Sequence, residues 1–172
     1  MGTEKENGVQ VEITPIDKRI LKQVWTQMRA GETLEGAAVY IGRSMAEHPQ
    51  WFALFEALGI LEGEDELPDG SNPYIHLTLH VLVGGQIFHS QPRQATRFYQ
   101  KRIERGDDSH LVVHMMIEVF KRHLVWTAEQ GREASDFDLK AYGKTLHTLT
   151  SLSTSDIWRR LGQTTIPTPH AH

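Results

Sequence analysis

Histidines four residues apart carry the chemical interest of this sequence: His76 with His80 in NPYIHLTLH, and His110 with His114 in SHLVVHMMIE. On a helix this spacing puts two side chains on one face, one turn apart, with Cβ atoms roughly 5–6 Å apart. Two imidazoles so placed can close on one ion at about 2.0–2.1 Å per bond. Two such pairs on antiparallel neighbours bring four nitrogens to one point, which is how bundles build cofactor sites. Both pairs begin in the first turn of a capped helix, where the positive end of the helix dipole disfavours imidazolium and so favours the ligating form. Glu118 lies one turn beyond His114. It is separated from His110 by about 12 Å of helical rise and cannot share an ion with it. Glu118 is therefore either a group that orients a histidine ligand or part of a site extending towards a second metal. Glu35 and His48 are the outer candidates for such an extension.

The sequence has no cysteine, which excludes disulfides and thiolate ligands. Imidazole and carboxylate donors suit a transition metal ion such as zinc, iron or nickel, with copper also compatible. Four protein ligands in a closed tetrahedron would serve structure or storage. Three ligands and a water, with Glu118 as base, would serve a hydrolase or oxygen chemistry. Spacing does not choose between these, so no catalytic residue is assigned and the question of enzyme activity stays open. Two other readings stand beside the metal: an interaction or adaptor module whose histidines are buried hydrogen-bonding groups, and a haem protein drawing one axial histidine from each helix. Of the remaining histidines, His89 is expected in a loop, His123 exposed, His147 in either setting, and His170 and His172 in a solvated tail. Met115, Met116 and the tryptophans are assigned to the core. The acidic loop Glu62–Asp69 lacks EF-hand spacing, and no phosphate loop, dinucleotide fingerprint or serine elbow is present.

The elements that must position the histidines are helices. Thr14-Pro15 reads as a helix start, followed by Ile16, Ile20, Leu21, Val24, Trp25 and Met28 at three- and four-residue spacing. Thr33 is read as the cap of a second helix to about Glu47, interrupted by His48-Pro49 because the residue before proline is pushed out of the helical region. A short apolar helix around Trp51–Leu58 follows, then a loop. Asn72-Pro73 opens the helix of His76 and His80, weakened at its end by Gly84-Gly85, and Gln91-Pro92 opens another to about Arg105. Gly106-Asp107-Asp108 caps the long helix from His110 to Gln130. Ser135–Asp138 resembles a capping box for a final helix to about Leu152, with a turn near Ile157-Trp158. The expected fold is all-α, a single-domain helical bundle of five to six helices over residues 14–160, with a flexible arm at 1–13 and a flexible tail at 161–172.

Composition narrows the partners. The 172 residues carry a formal charge of −4 with acidic and basic groups interspersed, so no basic face for nucleic acid is expected. No apolar run is long enough for a membrane span, and Met1–Asn7 lacks the apolar stretch of a signal peptide, so a cytoplasmic protein is expected. The small residues Gly36, Ala37, Ala38 and Gly42 suit a close helix contact within or between chains, which leaves a homo-oligomer possible.

The runs NPYIHLTLH and GDDSHLVVHMMIEVF with Trp126, and GETLEGAAVYIGRSMAEHPQWF upstream, resemble an uncharacterised proteobacterial family, domain of unknown function 1841. The resemblance covers roughly residues 17–150 and implies a small bacterial protein without supplying an activity. Gly85 and Arg122 stand where that family's pattern places carboxylates. If those carboxylates complete a metal site in relatives, this chain binds a different ion, fewer ions or none, and Arg122 is placed to pair with Glu118.

Overall fold

The structure is a computed structural model that describes residues 12–60, 65–67 and 69–162, and among these every regular element is helical. Helix α1 (Lys18–Arg29) leads to α2 (Ala37–Ala46), then to a 3-10 turn (Pro49–Trp51) that runs into α3 (Phe52–Glu56). Next come α4 (Pro73–His89), α5 (Arg93–Glu104) and the longest helix, α6 (Ser109–Glu129). A second 3-10 turn (Ala134–Asp136) precedes α7 (Leu139–Leu149) and α8 (Thr154–Arg160). The all-α expectation holds, but eight α-helices replace the five to six expected. The short apolar helix expected around Trp51–Leu58 is present as the 5-residue α3, whereas the 7-residue α8, too short for periodicity to reveal, was expected only as a turn. The expected turn at Ile157-Trp158 is α8, capped by Ser153, whose hydroxyl accepts from the Asp156 amide.

Capping chemistry explains where the helices begin. Asn72, Asp108 and Asp138 each accept a backbone amide of the following turn, as N-caps do. Helix α1 starts later than Thr14-Pro15 suggests, because Asp17 accepts from the Arg19 amide and acts as the cap. Thr33 does not cap α2; that position belongs to Gly36 at φ 57°, a left-handed conformation that glycine adopts without penalty. Glu35 therefore stays in the preceding loop, exposed. Gly84-Gly85 do not end α4, which runs on to His89, so His89 is helical and not in a loop. The expected arm and tail fall mostly outside the described residues (1–11 and 163–172), but Ile13 and Leu161 pack on the core.

Two apolar clusters hold the bundle. Leu21, Val24 and Trp25 of α1 pack with Ile41, Met45, Phe55, Tyr74 and Leu77. Met115, Met116 and Phe120 of α6 pack with Leu79, Val83, Phe98, Tyr142, Leu146 and Trp158. Each such side chain contributes about 1.5–3 kcal/mol when fully buried. Helix α4 gives residues to both clusters and packs against α2, α5 and α6. Trp126, assigned to the core from sequence, is 43% exposed.

One buried charge fixes the far end. Arg102 of α5 is 1% exposed and donates to Asp107, to the Leu152 carbonyl and to the Thr154 hydroxyl. Thr154 in turn donates to Asp107 at 2.7 Å, so α5, the start of α6 and the start of α8 share one polar network. No described helix is long and apolar enough to cross a membrane.

Candidate metal centre

The Asn72 side chain accepts from the amides of Tyr74 and Ile75 at 3.0 and 3.1 Å, and Pro73 takes the first helical position. That start sets the rotational phase of α4, which aims His76 and His80 at the junction with α2 and α6. Asp108 does the same for α6, accepting from His110 and Leu111 at 3.0 and 3.1 Å, so that His110 and His114 face the same junction.

A third strand of chain supplies the ring that spacing did not place at the centre. Helix α2 ends at Ala46, and Pro49 holds His48 at φ −123°, ψ 65°, outside the helical region. The His48 ring lies flat on Trp51, with centroids 4.7 Å apart and planes inclined by 7°. Its Nδ1 donates to the Ser44 carbonyl at 2.6 Å. A carbonyl can only accept, so Nδ1 carries the proton and the neutral ring turns the Nε2 lone pair inward.

The imidazoles of His48, His76, His80 and His114 converge, with one ring nitrogen of each lying within 4.8 Å of the others. Nε2 of His76 is 3.1 Å from that of His48 and 3.0 Å from that of His80, and Nε2 of His80 is 2.9 Å from that of His114. Each nitrogen holds one proton or one lone pair. At most two of these three successive contacts can therefore be linear N–H···N bonds. His48, His80 and His114 are buried and His76 is half-buried.

His110 stands next to this group, its ring centroid 4.4 Å from that of His114 and 4.8 Å from that of His48. Its Nδ1 is 3.6 Å from Oε2 of Glu47, while its Nε2 is buried without a hydrogen-bond partner. Oε2 of Glu47 is also 3.9 Å from Nδ1 of His80, and Oε1 accepts from Arg43 at 3.2 Å. Burial pushes the Glu47 carboxyl up, but His110 and Arg43 outweigh it and hold the group below its ordinary value, so it is a carboxylate at neutral pH. Burial, and then the neighbouring histidines, drive His80 far below its ordinary 6.5 and keep it neutral.

That shift has a measurable consequence for the metal-free protein. Below about pH 6.5 the unfolded chain takes up a proton that folded His80 refuses. The contribution of this ring to stability is complete above that pH and is lost progressively as the pH falls below it. Melting temperatures in chelator should fall from about pH 7 to about pH 5, and less steeply in a His80→Leu variant. A flat profile in the parent, or equal slopes, would contradict this.

Of the residues singled out from sequence, His76, His80 and His114 meet at one point, with His110 beside them. Glu118 lies outside the converging group and pairs with Lys121 at 3.0 Å. Arg122 does not pair with Glu118; it donates to the Arg160 carbonyl at 3.0 Å, near the end of α8. A side chain at Gly85 would meet nothing within 4 Å. His48, read from sequence as an outer candidate, is a central member, and Glu47 was missed. The signal for both was the His48-Pro49 break, which turns the chain end of α2 towards α4. His123 is half-buried on the Thr145 hydroxyl, against the expectation of exposure, and His147 is exposed.

Comparison with known proteins finds a match to the family model described as Domain of unknown function (DUF1841), over residues 16–148, a span that contains all five clustered histidines. No curated protein and no solved structure matches the chain.

Proposed function

The chain belongs to that family of unknown function, and from its own side chains we propose that it binds a transition metal ion through Nε2 of His48, His76, His80 and His114. The observation that carries this reading is the row of three Nε2 contacts at 2.9–3.1 Å. Protons can bridge at most two of the three contacts, whereas one cation at the centre of the four rings would draw on every Nε2 at once. A tetrahedron of 2.0–2.1 Å bonds has edges of about 3.3 Å, close to these separations. The Ser44 carbonyl on Nδ1 of His48 is the kind of outer partner that fixes a ligating tautomer. Glu47 serves His80 and His110 as the charged group behind the ligands. The donor chemistry fits zinc, iron or nickel, and copper. A haem would need axial nitrogens about 4 Å apart, twice a metal–nitrogen bond, wider than the three contacts of the row.

The test is elemental analysis of protein purified without nickel resin, with thermal melts of the stripped protein. Stoichiometric metal, and a melting temperature raised by adding zinc, iron(II) or nickel salts, are expected. Metal-free protein that none of these salts stabilises overturns the reading. Glu47→Gln keeps the shape of the side chain and removes its charge, and should weaken metal affinity by about 10–100-fold, the usual cost of losing an outer partner. Competition with a chromophoric chelator measures it; unchanged affinity would remove Glu47 from the centre.

A further inference from the structure

We infer that a pocket beside the histidine cluster binds a small organic anion, a carboxylate with a short apolar body, whose charge is recognised by Arg43. The inference rests on the metal-binding reading and extends it to a ligand.

The cavity measures about 160 Å³, far above the roughly 10–15 Å³ that one water requires. It lies between α2 and α4, is flanked by Tyr99 of α5 and Val113 of α6, and opens to solvent past Val39 and Phe88. Glu47 and His80 both line it, so the space reaches the back of the centre. Its walls are otherwise mostly apolar, built from Val39, Ile87, Phe88 and Val113. Gly84 keeps it open: a Cβ there would come no closer than 3.9 Å to Tyr40, so α4 presents bare backbone to the space. Few polar groups line such a site, and they set orientation and specificity. Here the only full cation is Arg43, held by Glu47 at 3.2 Å and by the Tyr99 hydroxyl at 3.2 Å.

Charge decides the kind of occupant. A divalent ion on four neutral imidazoles would keep both its charges, and Glu47 returns only one. The charge left beside these rings is costly, and an anion placed between the centre and Arg43, whose side chain is 60% exposed, relieves it. The apolar walls then favour a ligand that carries hydrocarbon behind its charge over a fully hydrated one such as inorganic phosphate.

The test uses cobalt(II)-loaded protein, read by its visible spectrum and by calorimetry. The probes are acetate, butyrate, hexanoate, inorganic phosphate and the neutral hexanamide. Affinity should rise from acetate to hexanoate, with hexanamide silent. Arg43→Met should weaken hexanoate roughly tenfold or more, and Gly84→Leu should abolish its binding, both with metal stoichiometry unchanged. If Gly84→Leu does not fold, Val39→Trp at the exposed rim supplies the same block. Hexanoate no tighter than acetate, hexanamide equal to hexanoate, phosphate alone binding, or a blocked variant that binds like the parent would each overturn the proposal. Metal loading without a carboxylate response sinks the pocket alone; failure to load metal sinks the centre and the pocket with it.

Discussion

His80→Ala should abolish the stoichiometric metal binding proposed above, and with it the thermal stabilisation expected of the metal-loaded parent. His80 is the hub of the row, with Nε2 in contact with both His76 and His114. Losing it removes one ligand and the link between the α4 and α6 donors. The affinity loss should exceed the roughly 10–100-fold of an outer-partner deletion. At metal one hundred times the parent Kd, binding adds about 2.7 kcal/mol to stability. For a chain of this size that raises the melting temperature by roughly 5–11 °C, a rise absent from the variant. His147→Ala, at an exposed position on α7, is the control and should retain the full effect. Equal metal-induced shifts in His80→Ala and the parent would show that the ion, if bound, sits elsewhere.

Arg102→Met costs about 3–5 kcal/mol of stability and leaves metal binding intact. The guanidinium is buried with Asp107, and removing one member of such a pair strands the other charge in a poorly solvated place. It also withdraws the donor of the Thr154 hydroxyl and one of the two donors of the Leu152 carbonyl, which Arg105 still reaches at 2.9 Å. The melting temperature should fall by roughly 6–20 °C. Because the penalty comes from the stranded carboxylate, the double variant Arg102→Met, Asp107→Leu should recover much of the loss. A drop of under about 2 °C in the single variant would mean that water reaches Asp107 and that the network contributes little.

Much of this molecule was legible in its residues. The helices of the paired histidines followed from Asn72-Pro73 and Asp107-Asp108, because caps are local chemistry and act wherever they occur. The four-residue spacing correctly brought His76, His80 and His114 together. What spacing could not show was the ring from outside the two helices. His48 reaches the centre because Pro49 breaks α2 there and Trp51 supports the ring, and both effects depend on how α2 is laid against α4. Glu118 shows the converse. It continues the periodicity of His110 and His114, yet it lies outside the converging group and pairs with Lys121 of the same helix. Arg102 was invisible for a related reason: beside nearby Asp107, the partners that bury it are the Leu152 carbonyl and the Thr154 hydroxyl, some fifty residues away.

The four donors come from three stretches of chain, with His48 and His76 separated by 28 residues and His80 and His114 by 34. Both pairings require α2, α4 and α6 to have docked: a lone helix offers an ion at most two rings, and α4 packed on α6 without α2 offers three. The full set of four is thereby tied to completed assembly. On the metal-binding reading proposed above, an ion would latch the finished molecule, lengthening the life of the native state by slowing its opening and doing little to hasten its formation.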